Sequence, residues 1–541
     1  MQALGPSVER RQSNTVTTLL NSLSLLEKLP MAVAGGVVLA LASPGLDLWW
    51  CAWLGLAPLL ILIRACKTVG EAGVLGFVFG LAYHLVSLRW ILDLKPAEAA
   101  AGPVWTLGVG QLWGVVAVHQ SVLYLAFACL VFALPLRAGN LPHYHRPFFP
   151  YIWSVPIIWL FMMWVLAPAD FFGGLPLAQL AYTQGPLLQL LQVARFGGSQ
   201  LIDLILILSN CAVAQLIIEV THLSPPYANR IDFFPPRTGA AFDLAWILGL
   251  ATLACFWGAG ELQNSWLLPD DQVAGYAAPP ITVAVVEPDY AKSREPEVLF
   301  KPAQNLGVNM IFLPQLPAVG TREYRRLLRQ LAISEHKDVV AGLRETTDNG
   351  GVMQTIRVFS AAGKSDANNF TSKCKLMPFF DFPPWYALLV SGAVQKALAP
   401  DPDESARAEQ PNILQTTPAK IGALFFNEIL YPEFVARQAE RGTALLVHVT
   451  DLTAFKSDTL AKQLLAAGQL RAIETGRYIV MSEGGATSGV IDPMGVRRCT
   501  AIFAPGKAGC LVDRVQFTPK KTRFTSWWWI WTPFYRMLSK R

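Results

Sequence analysis

Apolar positions crowd the first half of the chain. Residues 29–265 are broken only by short polar turns, whereas from about residue 280 to 520 short apolar runs alternate with amphipathic, charged stretches. A helix crossing hydrocarbon needs about 20 apolar residues, because no backbone polar group can be left unpaired there. The pattern predicts seven spans, near 30–45, 48–64, 72–92, 105–135, 151–168, 199–219 and 241–262. The first two meet at a tight Ser43-Pro44-Gly45 turn, and the fourth is long enough to tilt or to extend past the bilayer.

The second half changes period. ITVAVVEP, NMIFLP and KDVVAGL read as buried strands, and KIGALFF, ALLVHVT and RYIVMSE continue the series. Helical stretches such as REYRRLLRQLAI and LAKQLLAAGQLRAIET lie between them. Strands alternating with helices predict a layered α/β domain. No GxGxxG follows a strand and no phosphate-loop pattern is present, so nucleotide binding is not expected.

Composition sharpens this division. Charged residues make up 15% of the 541 positions, against about 25% in soluble proteins. The deficit is uneven and falls mainly on the first half. The domains predicted are an N-terminal segment 1–28, a helical bundle 29–265, an α/β domain 275–520 and an aromatic tail 521–541. Residues 1–28 do not read as a cleavable signal peptide; Arg10, Arg11 and the run from Val16 to Leu29 suggest an amphipathic approach to the first span. The tail, SWWWIWTPFYRML, predicts an interfacial anchor or a short eighth span.

Net charge is +6, without a basic patch spaced for nucleic acid. Lys and Arg instead fall in alternate loops: Arg10, Arg11 and Lys28; Arg64 and Lys67; Arg137 and Arg146; Arg230 and Arg237. By the positive-inside rule the N-terminus is cytoplasmic, and seven spans carry the α/β domain to the other side. The eight cysteines have no metal-ligand spacing. Cys51, Cys66, Cys129, Cys211 and Cys255 sit in or beside apolar segments as small hydrophobes. Cys499 and Cys510 could pair across a hairpin in an oxidising compartment. Neither metal nor cofactor is expected.

Several stretches, taken in order, resemble the apolipoprotein N-acyltransferase family. ALASPGLDLWWCAWLGLAPLLIL resembles its first helical hairpin, GFVFGLAYHLVSLRWIL its third span, and GGLPLAQLAYTQGPLLQL the loop before its sixth. KCKLMPFFDFPP resembles the family's K-x-x-L-x-P-F-G-E loop, and RAIETGRYIVMSEGGATSGVIDPMG its R-A-x-E-x-x-R to I-D-P-x-G stretch. The resemblance runs from about Pro30 to Thr525. It implies a multi-pass helical membrane bundle plus a nitrilase-like α-β-β-α sandwich, in a bacterial inner membrane with the sandwich facing the periplasm. It also implies a Glu–Lys–Cys triad that takes an acyl chain from a phospholipid as a thioester and passes it to the N-terminal amine of a lipoprotein.

Carried over position by position, the triad is incomplete. Lys373 matches the lysine. Gln315, in Leu313-Pro314-Gln315, stands where the glutamate is implied. Phe426 stands where the cysteine would open a C-Y-E-type run, which here reads Phe426-Asn427-Glu428. A phenyl ring cannot attack an ester, and a carboxamide cannot accept a proton as a carboxylate does. No Ser, Thr or Cys lies within two residues of Phe426, and Cys374 beside Lys373 faces away if that segment is extended.

Nearby departures agree. The glycine of P-F-G-E is Phe380 and its acid Asp381; N-D-x-W-F is replaced by Asp451-Leu452-Thr453-Ala454-Phe455; T-N-x-G is replaced by Glu483-Gly484-Gly485-Ala486. Arg471, Glu474, Arg477, Asp492, Pro493 and Gly495 persist.

Each residue also has a plainer reading. Lys373 is expected as a solvated relic, Glu428 as a structural hydrogen-bonding group or a bystander, and Gln315 as a partner of Lys373 or of backbone. Phe426 is expected to fill the space of the sulfur, His448 to be a satisfied core residue, and Arg471, Glu474 and Arg477 to form a salt-bridged helical turn. The reading expected from sequence is a catalytically inactive homologue that binds membrane phospholipid, lipoprotein or a protein partner. The alternatives are an active N-acyltransferase with unusual residues, a nitrilase-class hydrolase, or a subunit acting beside a complete homologue.

Overall fold

The computed structural model describes residues 23–95, 102–133, 151–163, 179–220, 240–267, 280–287, 307–319, 322–346, 352–362, 368–395 except 393, 408–455, 458–502, 509–517 and 521–526, plus positions 176 and 304. The charged positions expected at residues 10, 11, 137, 146, 230 and 237, and the aromatic tail from 527 onward, lie outside the described residues.

The helices are α1 (Leu25–Ala40), α2 (Ala57–Arg64), α3 (Val69–Ser87), α4 (Pro103–Ala133), α5 (Tyr151–Phe161), α6 (Ser199–Val220) and α7 (Ala240–Leu267). Among the described residues, four helical stretches are long and apolar enough to cross a membrane: Val69–Asp93, Pro103–Ala133, Ser199–Ile218 and Ala241–Asn264. The sequence pattern predicted seven, and the differences have structural causes. α1 starts early because Ser24 and Glu27 cap it, with Ser24 N–H donating to Glu27 Oε2 at 2.6 Å. The segment expected to span 48–64 is broken into a short 3-10 turn, Trp49–Trp53, and the eight-residue α2. Asn210 of α6 plugs that break: its carboxamide accepts from Leu56 N (2.8 Å) and Ala57 N (3.1 Å) and donates to Ala52 O (2.8 Å). α5 is described to residue 163, so its predicted extent to 168 lies partly outside the described residues.

The chain forms two compact units. The first comprises Met1–Leu88, Val116–Leu166 and Asp203–Leu253. In it, α1 lies close on α3, since a Cβ at Gly36 would fall 2.2 Å from Phe79 O. Lys28, fully buried, is neutralised by Glu71 at 2.6 Å and donates to Ala65 O at 3.0 Å.

The second unit comprises Arg89–Val115, Ala167–Ile202 and Ala254–Arg541. It contains two six-stranded sheets. The first runs β12-β1-β2-β3-β4-β5, from Gly509–Val515, Ile281–Glu287, Met310–Val319, Asp338–Thr346, Val352–Phe359 and Phe370–Ser372. The second runs β11-β10-β9-β8-β7-β6, from Arg497–Ile502, Thr487–Ile491, Tyr478–Gly484, Leu445–Asp451, Lys420–Phe425 and Leu414–Gln415. Each sheet has three parallel strands at its centre, β1-β2-β3 and β7-β8-β9, with antiparallel strands on both flanks.

Side-chain alternation builds the layers. Val283, Val285, Met310 and Phe312 meet Val447, Val449 and Val480 between the sheets. Ala284, Val286, Ile311 and Leu313 face outward onto Leu328, Leu331 and Ala332 of α8 (Arg322–Glu335). The second sheet is covered by α9 (Pro432–Glu440) and α10 (Thr459–Thr475). The result is an α-β-β-α sandwich whose inter-sheet faces are apolar at period two. Cys510 carries a free thiol, and the side chain of Cys499 is outside the described residues.

Candidate functional site

Sites in layered α/β folds form where parallel strands end. Here Glu287 closes β1, Gln315 lies at a β2 irregularity opposite Gly342, Phe426 follows β7, and Asp451 and Gly484 close β8 and β9.

Phe426 begins a 3-10 turn, Phe426–Leu430, with a backbone φ of +29°. A bulky residue held at positive φ is strained, and such strain collects where a fold fixes a functional turn. The turn is held from three directions. Glu428, fully buried, accepts from Phe425 N (2.8 Å), Cys374 N (2.6 Å) and Lys375 N (3.0 Å). Burial pushes its carboxyl up to about 7, against the pull of those N–H groups and of Lys373. Behind the turn, His448 Nε2 lies 2.8 Å from Phe426 O, and its Nδ1 lies 3.2 Å from Glu483 Oε1.

In front of the turn stand Lys373 and two aromatic rings. Lys373 Nζ lies 5.6 Å from the Phe426 ring centroid. The Phe380 ring meets Phe426 at 6.3 Å, edge to face, and Phe455 at 6.1 Å; Phe455 in turn meets Trp90 at 5.6 Å. The residues standing at the implied cysteine and glycine positions are thus in contact, ring against ring.

Lys373 is not the solvated lysine expected from sequence. It is 3% exposed, and its Nζ lies 2.6 Å from Asp381 Oδ2. Asp381 is fixed in turn by Gln354 Nε2 (2.7 Å) and Met377 N (2.6 Å). Gln315 is buried, and its Nε2 has no hydrogen-bond partner among the described residues. Cys374 is buried with its thiol donating to Ser372 O at 3.4 Å, and burial raises it far from thiolate formation.

Lys373, Asp381, Phe426 and Glu428 are therefore brought together. Gln315 lies on β2 of the first sheet, whereas Phe426 and Glu428 follow β7 of the second. Sequence reasoning did not join His448 and Glu483 to Phe426, nor single out Glu287. Burial pushes Glu287 up to about 8, over the pull of a hydrogen bond from Gly485 N, with the Asp451 charge adding to the rise. Its signal was a carboxylate ending an otherwise apolar strand. Among the described residues no group of three or more His, Cys, Asp or Glu could hold a metal ion.

Two family descriptions match consecutive parts of this architecture. Residues 35–212 match the apolipoprotein N-acyltransferase N-terminal domain, and residues 284–501 match carbon-nitrogen hydrolase. An apolipoprotein N-acyltransferase of Gloeobacter violaceus is 25% identical over 513 residues, covering 92% of this chain and 89% of its own. This chain belongs to the apolipoprotein N-acyltransferase family. A relative of the same name from Geobacter metallireducens is 26% identical over 494 residues, covering 87% of each chain. Among solved structures, a carbon-nitrogen hydrolase from Helicobacter pylori covers 48% of this chain and 95% of its own, at 16% identity and a TM-score of 0.35.

Proposed function

We propose that this membrane protein is a catalytically inactive homologue of the apolipoprotein N-acyltransferases, retained to bind phospholipid, lipoprotein or a protein partner. In this reading residues 29–265 form the membrane bundle, with residues 1–28 cytoplasmic. Residues 275–520 form the nitrilase-like domain, facing the periplasm of a bacterial inner membrane. Residues 521–541 are an aromatic anchor or a short eighth span.

The observation that carries the reading is the occupant of the β7 turn. Phe426 takes the strained position from which the family's resemblance implies sulfur attack, and its ring packs on Phe380. No electron pair is available there to form an acyl bond. Gln315 offers no carboxylate base, and losing members of a triad that acts as a unit costs orders of magnitude in rate. Glu428 and the Lys373–Asp381 pair keep the frame of the site without its reactive atom.

That same retained pair favours the second reading, an active N-acyltransferase that moves a phospholipid acyl chain to a lipoprotein amine by a route without Cys. The two readings separate cleanly. The wild-type chain, incubated with phospholipid, is expected to give no hydroxylamine-sensitive acyl adduct. Phe426→Cys with Gln315→Glu is expected to give one at low yield. An adduct on the wild type, or its rescue of a strain lacking lipoprotein N-acylation, would overturn inactivity. Silence from a folded double variant would show that the acyl-binding surface has changed as well.

A further inference from the structure

We propose that His448 and Glu483 form a proton-operated latch on the backbone of Phe426, set by one proton shared between the imidazole and the carboxyl group. The inference rests on the reading above only in taking the 426 turn as the centre of the site.

Both side chains are fully buried, on neighbouring strands β8 and β9. The pleat places them on the face away from the inter-sheet core, the face on which Met481 meets α10. Phe426 O can only accept, so the 2.8 Å contact requires a proton on His448 Nε2. The 3.2 Å contact between Nδ1 and Glu483 Oε1 requires a second proton. It is supplied either by an imidazolium facing a carboxylate or by a carboxylic acid facing a neutral ring. In both descriptions the pair is neutral overall and makes both bonds. Glu483 Oε2 is buried with no partner among the described residues, and burial raises the carboxyl's hold on its proton.

Loss of the shared proton leaves one proton for two bonds. If it stays on Nε2, a bare Nδ1 lone pair faces the Glu483 carboxylate. If it moves to Nδ1, a bare Nε2 faces Phe426 O. Repulsion between a buried anion and a bare lone pair is the worse outcome, so the proton moves to Nδ1 and the carbonyl of Phe426 is released. The turn released is the one held at positive φ, whose ring carries the contacts with Phe380 and Lys373.

Other ionisable groups lie on the latch's own turn and strand and on the helices that cover the second sheet. Glu428 lies on the same turn, Glu433 on α9, the Arg471–Glu474 pair on α10, and Asp451 ends β8. The charge acting on Glu483 is that of His448. Glu428 titrates within the released segment, so a control must leave it unchanged. Glu483→Gln does so: the amide N–H donates to Nδ1 at every pH, which fixes the proton on Nε2 and keeps the latch closed.

The test is hydrogen–deuterium exchange of the 426–431 segment in the full chain in detergent, corrected for intrinsic exchange, from about pH 6 to about pH 9. The wild type is expected to lose roughly tenfold more protection than Glu483→Gln over that range. Superimposed profiles overturn the latch. Should Glu483→Gln not fold, 15N spectra of the wild-type imidazole, assigned by its absence in His448→Gln, give the answer. Movement of the proton from Nε2 to Nδ1 with rising pH supports the latch, and a fixed tautomer overturns it. Neither readout depends on acyl transfer, so the acyl-adduct experiment tests inactivity separately.

Discussion

Lys373 shows how much one buried charge depends on its neighbour. Its ammonium is 3% exposed and has Asp381 at 2.6 Å. Removing one partner of a buried pair strands the other charge, which costs about 3–5 kcal/mol. Lys373→Met is therefore expected to lower unfolding stability by about that amount, measured by denaturant or thermal melting in detergent. Lys373→Met with Asp381→Asn is expected to recover more than half of it, because the carboxamide oxygen still accepts from Met377 N and its N–H can donate to the Gln354 carboxamide once that group turns over. The buried carboxyls set a pH dependence of definite sign. Burial raises Glu287 from 4.5 to about 8, Glu428 from 4.5 to about 7 and Asp492 from 3.8 to about 6. A carboxyl raised on folding stabilises fully below its unfolded value, and this contribution is lost as pH climbs through the folded value. Stability should therefore fall from about pH 5 to about pH 8. Glu287→Gln keeps an acceptor for Gly485 N and removes this group's titration, so it should raise stability at about pH 8 by on the order of 2–4 kcal/mol and have much less effect near pH 5. Equal gains at both pH values would rule out proton linkage at this position. From sequence, the occupant of position 426 was legible, because an aromatic letter cannot conceal a thiol. The ion pair was not, because the loop that folds Asp381 back onto Lys373 is fixed by Gln354 on a different strand.

The elements were easier to read where one period held over their whole length. β1, β7, β8 and β9 appear where alternating or continuous apolar runs end in polar turns, and α8 where charges recur on one helical face. The 48–64 segment misled because nothing polar punctuates it. Its break is stabilised by Asn210, which lies far away in the chain, so no local pattern announces it. A similar long-range constraint acts at β3. A Cβ on Gly342 would fall 2.8 Å from Gln315 Cα and 2.7 Å from Val449 Cγ1. The first contact is with backbone and cannot rotate away, so the β2–β3 register and the inter-sheet contact with β8 must both give. Gly342→Ala is expected to cost about 1–3 kcal/mol of stability, the usual range for overpacking. Gly249, in contrast, has nothing within 4 Å of an added Cβ. Gly249→Ala on α7 is expected to be neutral or slightly stabilising. Thermal melts of the two variants side by side would check the contrast, and equal melts would mean that the β2–β3 strands are looser than their spacing implies.

At the scale of the whole molecule, the compact second unit does not begin where the charged composition begins. It takes in Arg89–Val115 and Ala167–Ile202 as well as the two sheets. These earlier segments bind the sandwich through polar atoms that would otherwise be buried and unpaired. Lys95 N donates to Ala454 O at 2.8 Å, and Leu94 bridges to Phe455. Tyr182 Oη donates to Leu430 O at 3.1 Å, next to the turn that carries Phe426. Gln192 Nε2 donates to Met494 O at 2.9 Å. Ser199 N donates to Glu474 Oε1 at 2.6 Å, and Glu474 is the fully buried partner of Arg471 at 2.7 Å. The persisting Arg471 and Glu474 thus form the expected salt-bridged turn of α10 and also join it to the first turn of α6. A fragment cut at the composition break, residues 275–520, would lose every one of these partners. It would expose Phe455 and the Arg471–Glu474 pair to solvent, and each hydrogen bond given up to water costs about 0.5–1.5 kcal/mol, beside the apolar burial lost with it. Several such losses rival the 5–15 kcal/mol that holds a typical domain together. The fragment is therefore expected to aggregate, or to be cleaved rapidly within 426–455 under limited proteolysis. The full chain in detergent should run as one symmetric peak and resist the same protease. A monodisperse, protease-resistant fragment would show that the sandwich is self-sufficient and that the earlier segments only decorate it.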